Sequence, residues 1–156
     1  MANVKAIPEG YTTVTPSITL RDGMKAIEFY KNALGAQERA IARGPDGKIM
    51  HAEIQIGNSI VMLNEEVMGS RSAETIGGSP VSFYLYVEDV DSAFQRAIGA
   101  GGKSTMPVSD MFWGDRMGNF TDPFGLNWTL ATHVKDVTPE EMKRGQEEFM
   151  KQMAGR

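Results

Sequence analysis

The chain contains no cysteine, which excludes disulfide staples, thiolate metal sites and a catalytic thiol. Histidine is nearly as scarce: His51 and His133 are the only two, without the converging spacing of a histidine-based metal motif. No stretch approaches the roughly 18 consecutive apolar residues of a membrane span, and Met1 to Gly10 has no apolar signal core. There is no Gly-x-Ser-x-Gly elbow and no phosphate loop, and Gly99, Gly101 and Gly102 read as a helix terminus. Basic charge is also in short supply, with 16 Lys and Arg against 20 Asp and Glu and no cluster that would track a phosphate backbone. These absences lead us to expect a cytoplasmic protein with neither nucleic acid nor membrane as partner. What is present is a chain of 156 residues, 41% of them hydrophobic, long enough to bury a core as one domain without a structural metal.

Self-similarity organises the sequence. Sliding Ile18–Gly35 onto Leu85–Gly102 in the register that sets Asp22 on Asp89 also sets Ala26 on Ala93, Ile27 on Phe94, Ala33 on Ala100 and Gly35 on Gly102. Val90, Ala93, Phe94, Ala97 and Ile98 make the apolar stripe of an amphipathic helix, and Met24, Ile27, Tyr30 and Leu34 match it. Asp22 and Asp89 are placed as N-caps, and the closing glycines as left-handed C-caps. A strand precedes each helix. Three strand-like runs follow the first, over 39–43, 48–56 and 59–64, and three follow the second, over 103–108, 110–119 and 120–132. Turn chemistry stands at Gly44-Pro45-Asp46-Gly47, Gly57-Asn58, Gly114-Asp115, Gly118-Asn119 and Asp122-Pro123-Phe124-Gly125. The expected class is α+β: two tandem βαβββ modules, about 11–67 and 81–134, joined by a linker at about 68–80. A terminal helix over 138–153 is opened by the capping box of Thr138-Pro139-Glu140-Glu141.

Alternation sorts strand residues into faces. Met50, Ala52, Ile54 and Ile56 form an apolar set opposed by His51, Glu53 and Gln55; Thr15, Ser17 and Thr19 oppose Pro16, Ile18 and Leu20; Ser82, Tyr84 and Tyr86 oppose Val81, Phe83, Leu85 and Val87. Two polar faces brought together would line one concave surface, with Tyr84, Trp113 and Trp128 as candidate walls, although core packing is the simpler role for Trp128. His51 and Glu53, on one strand face, are the candidate acid and base, a structural His beside an exposed Glu being the plainer reading. His133 reads as a strand-end hydrogen-bonding residue. Asp115 and Arg116 read as an ion pair or loop anchor, or Arg116 as a fork for a ligand carboxylate.

Phe112-Trp113-Gly114-Asp115-Arg116, Asp122-Pro123-Phe124-Gly125 and Trp128-Thr129-Leu130-Ala131-Thr132-His133 resemble the signature of the glyoxalase/bleomycin-resistance/dioxygenase, or vicinal oxygen chelate, superfamily. The likeness extends over about 11–134 and is similar to the bacterial glyoxalase-like and demethylubiquinone-methyltransferase-like subgroup. It implies a curved mixed sheet around a cleft and a homodimer. In metal-dependent members, the leading and last strands of the modules supply the ligands. Here those positions hold Thr15, Ser82, Thr129 and either Val61 or Met62, so no metal and no other cofactor is expected, a divalent metal being the alternative. Leu126 stands where the subgroup commonly has histidine. The expected function is metal-independent binding of a small, cationic or aromatic molecule by Thr15, Ser17, Gln55, Ser82, Tyr84, Trp113, Arg116 and Thr129. Alternatives are a glyoxalase-type lyase, isomerase or dioxygenase, and a non-catalytic structural or regulatory dimer.

Overall fold

The computed structural model describes residues 4–155. Its first module runs β1 (Ser17–Leu20), α1 (Gly23–Leu34), β2 (Gln37–Arg43), β3 (Ile49–Ile56) and β4 (Ser59–Glu65). After a short helix, α2 (Ala73–Ile76), the second module repeats the plan with β5 (Ser82–Tyr86), α3 (Val90–Gly99), β6 (Lys103–Asp110), β7 (Asp115–Thr121) and β8 (Asn127–His133); α4 (Pro139–Ala154) follows. Each module makes its own four-stranded mixed sheet, ordered β1-β4-β3-β2 and β5-β8-β7-β6, in which the leading strand lies parallel to the last and the other pairs are antiparallel. No helix among the described residues is long and apolar enough to cross a membrane.

The helices form where the caps are. Asp22 accepts from the Lys25 amide at 3.0 Å and Asp89 from the Ser92 amide at 3.1 Å, each satisfying a free donor of the first turn. Gly35 closes α1 in the left-handed conformation, with φ 66°. In α3 the cap is Ala100, right-handed, and the reversal falls at Gly101 instead of at Gly102. The capping box of α4 is complete, with Thr138 and Glu141 each bonding the other's backbone amide.

Two strand expectations are corrected. Met50 is 39% exposed, and Ile49 takes the buried place instead, because the β2–β3 register shifts between Ala42 and Arg43 and moves the start of β3 out of simple alternation. Gly118-Asn119 is no turn but the middle of β7, paired with Leu130 and Thr129. Glycine stands there because the Phe94 ring of α3 lies on the strand: a Cβ would come within 2.9 Å of it and 3.0 Å of Val108. The linker region holds α2 and is pinned by Glu66, which accepts from both the amide and the hydroxyl of the buried Ser72.

The two modules share one core. α1 packs on the apolar face of the first sheet, α3 on that of the second, and the helices pack on each other. Asp122, 4% exposed, ties the halves together: its carboxylate accepts from Tyr30 of α1 and from the Trp128 indole, both at 2.8 Å, and from the Phe124 and Leu126 amides at 2.9 Å. Around it Phe29, Tyr30, Phe124 and Trp128 form a cluster of edge-on and tilted rings. Arg96 of α3 adds a second tie by donating to the Ala33 carbonyl near the end of α1.

Asp122→Ala strands the Tyr30 hydroxyl and the indole in an apolar interior, and is expected to cost about 3–5 kcal/mol in urea unfolding. Tyr30→Phe removes one donor and leaves the carboxylate three, with an expected cost of about 1–2 kcal/mol. Gly118→Ala overpacks the Phe94 contact and is expected to cost about 1–3 kcal/mol by the same measurement.

Candidate functional site

With both helices sandwiched between the sheets, the faces that carry polar side chains turn outward, one on each side of the molecule. The first of these faces gathers around Glu53 of β3. Its side chain is 15% exposed and receives the Tyr11 hydroxyl, His51 Nε2 at 3.0 Å and Arg39 Nε at 3.7 Å. Tyr11 reaches it because the segment before β1 folds back across the sheet, with Gly10 against Ile60. Tyr11 first and His51 second, against a smaller cost of burial, hold the Glu53 carboxyl below its usual range. Gln55 accepts from Arg39 at 2.8 Å and donates to the Gly57 carbonyl. Ser17 is exposed on the same sheet, and Thr15, just ahead of β1, is half-buried with its hydroxyl turned to the Thr12 carbonyl at 3.4 Å.

The second face centres on Asp115, a buried carboxylate at the start of β7. Tyr84 and Tyr86 both donate to its Oδ2 at 2.9 Å, while His133 Nδ1 meets Oδ1 at 2.8 Å and His133 Nε2 meets the exposed Asp136 at 2.9 Å. The pairing register explains the convergence, since Asp115 lies opposite His133 and β5 lies beside β8. Burial pushes the Asp115 carboxyl up, but the bonds from His133, Tyr84 and Tyr86 outweigh it and leave it below its ordinary value. Burial and the carboxylate together push the Tyr84 phenol up to about 12. Asp136 first and then Asp115 raise His133, which favours its imidazolium form. Trp113 stands beside the Tyr84 hydroxyl and packs edge-on against Phe112. Thr129 shares this face but spends its hydroxyl on Asn119 at 2.8 Å, and Ser82 is exposed at the start of β5.

The residues named from sequence thus fall into two groups that one chain does not bring together: Thr15, Ser17, His51, Glu53 and Gln55 on the first sheet, and Ser82, Tyr84, Trp113 and Thr129 on or beside the second. Arg116 joins neither group. It turns to the helix side of β7, where Asp91 of α3 grips it with two bonds at 2.8 Å and Asp110 of β6 with one at 3.1 Å, an ion-pair anchor. Sequence reasoning missed the roles of Tyr86, Asp115 and His133 as one constellation. The available signal was alternation, which already put Tyr84 and Tyr86 on one face, but the β7–β8 register that brings Asp115 opposite His133 is a tertiary fact.

A groove of about 1140 Å³ runs between the β5 edge, the end of α1 and the β3–β4 turn. Its walls are mainly apolar, with Leu34, Ile56, Phe83, Leu85 and Leu130 among them, and of the residues named from sequence Tyr84 and the candidate wall Trp128 border it.

The positions that would hold a metal do not fit one. Thr15, Ser82 and Thr129 offer hydroxyls, Thr129 with its own partner, while Val61 is buried and Met62 offers a thioether. Among the described residues, no three His, Asp or Glu side chains are grouped to take a metal ion.

The comparisons with known proteins agree with this architecture. A curated relative from Mycobacterium bovis, named an uncharacterized protein, is 40% identical over 135 residues, covering 83% of this chain and 89% of its own length. One from Arabidopsis thaliana is 30% identical over 124 residues, 74% of each chain. Its solved counterpart from that plant superposes with a TM-score of 0.64 at 26% identity, covering 78% of this chain and 98% of that one. TioX from Micromonospora superposes with a TM-score of 0.61 at 24% identity over 81% of this chain and all of that one, which speaks to fold alone. Residues 12–130 match the family model described as Glyoxalase/Bleomycin resistance protein/Dioxygenase superfamily, and the chain belongs to that superfamily.

Proposed function

We propose that this chain binds a small organic molecule without the superfamily's usual metal site, in a cleft that two copies of the chain build together. The observation that carries this reading is the orientation of the sheets. Every polar side chain at the two candidate sites sits on a face turned away from the shared helices, and the strand at the near edge of each sheet, β1 or β5, has one side unpaired. An unpaired strand with exposed apolar neighbours invites another strand. Val81 is 57% exposed, Tyr86 65%, and the apolar groove runs along the same β5 edge. Setting β5 of one copy beside β1 of the other joins the two sheets into one curved surface. His51 and Glu53 from one chain would then face Tyr84 and Thr129 from its partner, and a homodimer would hold two such clefts.

Binding is favoured over acid–base catalysis by the state of Glu53. A general base works best when its pKa lies near the working pH. Glu53 is held low instead and has three partners, so it is a weak base and a good fixed charge.

Sedimentation equilibrium at micromolar concentration is expected to return twice the mass of one chain. Because the chain lacks cysteine, Ser17→Cys and Ser82→Cys variants can be mixed and oxidised. A disulfide joining the two different variants supports the β1–β5 pairing, and a monomer in solution overturns the composite cleft. Dialysis against nickel, zinc, manganese and iron in turn, followed by elemental analysis, is expected to leave metal well below one per chain, and stoichiometric retention lost in His51→Ala would overturn the metal-free reading.

A further inference from the structure

We propose that Tyr84 and Tyr86 form a notch for the head group of an organic cation, with the buried Asp115 behind it as the source of negative charge. The inference deepens the reading of a small-molecule cleft and rests on it. The two rings are exposed, 45% for Tyr84 and 65% for Tyr86, and their centroids lie 5.2 Å apart with planes inclined at 50°, so they pack against each other and present their exposed faces side by side. Nothing about an ordinary surface tyrosine holds it in place, yet both of these are fixed, because each hydroxyl donates to the same carboxylate oxygen at 2.9 Å. The rotamer entropy that a ligand would otherwise have to remove is already spent in folding.

The chemistry of the occupant follows from what the notch offers. A phenol that donates to a carboxylate is richer in electron density than a free one, and the ring face of tyrosine attracts cations. Asp115 itself is 3% exposed and its two oxygens are occupied, Oδ2 by the tyrosines and Oδ1 by His133. A hard metal ion, which needs oxygen ligands, therefore finds none free there, whereas an alkylated ammonium group is satisfied by ring faces and by charge at one remove. The local balance also favours a cation. His133 is the basic group in contact with the cluster, and it lies between two carboxylates, Asp115 and Asp136. Arg116, the next residue along β7, is on the opposite side of the sheet, held by Asp91 and Asp110. The indole N–H edge of Trp113 lies against the Tyr84 hydroxyl.

The test is a nitrogen–proton NMR titration of the whole chain with choline and, separately, with 3,3-dimethylbutan-1-ol, which has the same shape without the charge. The two indole N–H signals separate the site from the core, since Trp113 flanks the notch while Trp128 is buried and bonded to Asp122. Choline is expected to shift the Trp113 indole and the Tyr84 and Tyr86 amides saturably and to leave Trp128 in place. The neutral analogue is expected to bind about 10-fold more weakly, as is choline to the Tyr86→Leu variant. An unmoved Trp128 signal in that variant shows that the fold survives. Equal affinity for the two probes, or no saturable shift with choline, overturns the proposal. The mass of the same sample distinguishes the failures: a dimer that ignores choline removes the cation notch alone, and a monomer that binds choline removes the two-chain cleft alone.

Discussion

The four hydrogen bonds to Asp122 are the constraint on which the rest of the architecture depends. A carboxylate 4% exposed is tolerable only when its oxygens are fully engaged, and these are engaged by donors from two modules. The Phe124 and Leu126 amides shape the turn between β7 and β8, the Trp128 indole fixes the first residues of β8, and Tyr30 arrives from α1, 92 residues away. One side chain thereby sets a local turn and a distant contact at once. The first module has no equivalent, since its last two strands are joined by Gly57-Asn58, and the tie between modules is made from one side only.

That tie decides where chemistry can happen. By drawing α1 against the second module, it puts both helices between the sheets and leaves the polar faces looking outward. The same strands that would line one pocket if the modules closed on each other instead line two open surfaces. The Glu53 cluster and the Asp115 cluster are alike in plan: a carboxylate receives tyrosine and histidine on a sheet face. They differ in consequence. Glu53 is held by Tyr11 from the segment ahead of β1, whereas Asp115 is bonded by rings of β5 and β8, within its own sheet.

Much of the fold was legible because it is written in local chemistry. Asp22 and Asp89 cap their helices as their sequence neighbours imply, the strand–helix–three-strand plan repeats, and Trp128 packs in the core. The misreadings come where a tertiary partner overrules local preference. Gly118 looks like turn chemistry and is a strand residue because Phe94 needs the space; Met50 yields its core place to Ile49 because a neighbouring strand shifts register. The site was less legible than the fold. Apart from the start of β3, alternation sorts the site residues into faces, but it does not say which way two faces look relative to each other, and here the two polar faces look away from one another. Arg116 illustrates the same limit, since its partners Asp91 and Asp110 are near in space through α3 and β6 and not through any motif.

Trp128 occupies an unusual position in this scheme. Its indole N–H is fixed by Asp122, while its ring forms part of the wall of the large groove. Occupancy of the groove and integrity of the core are therefore linked quantities. A molecule that enters only the folded state raises the free energy of unfolding in proportion to the logarithm of its concentration once it saturates. In this chain any such molecule would rest on a residue already bonded to the joint between modules. A shift in melting temperature would therefore report occupancy of that wall through the core itself.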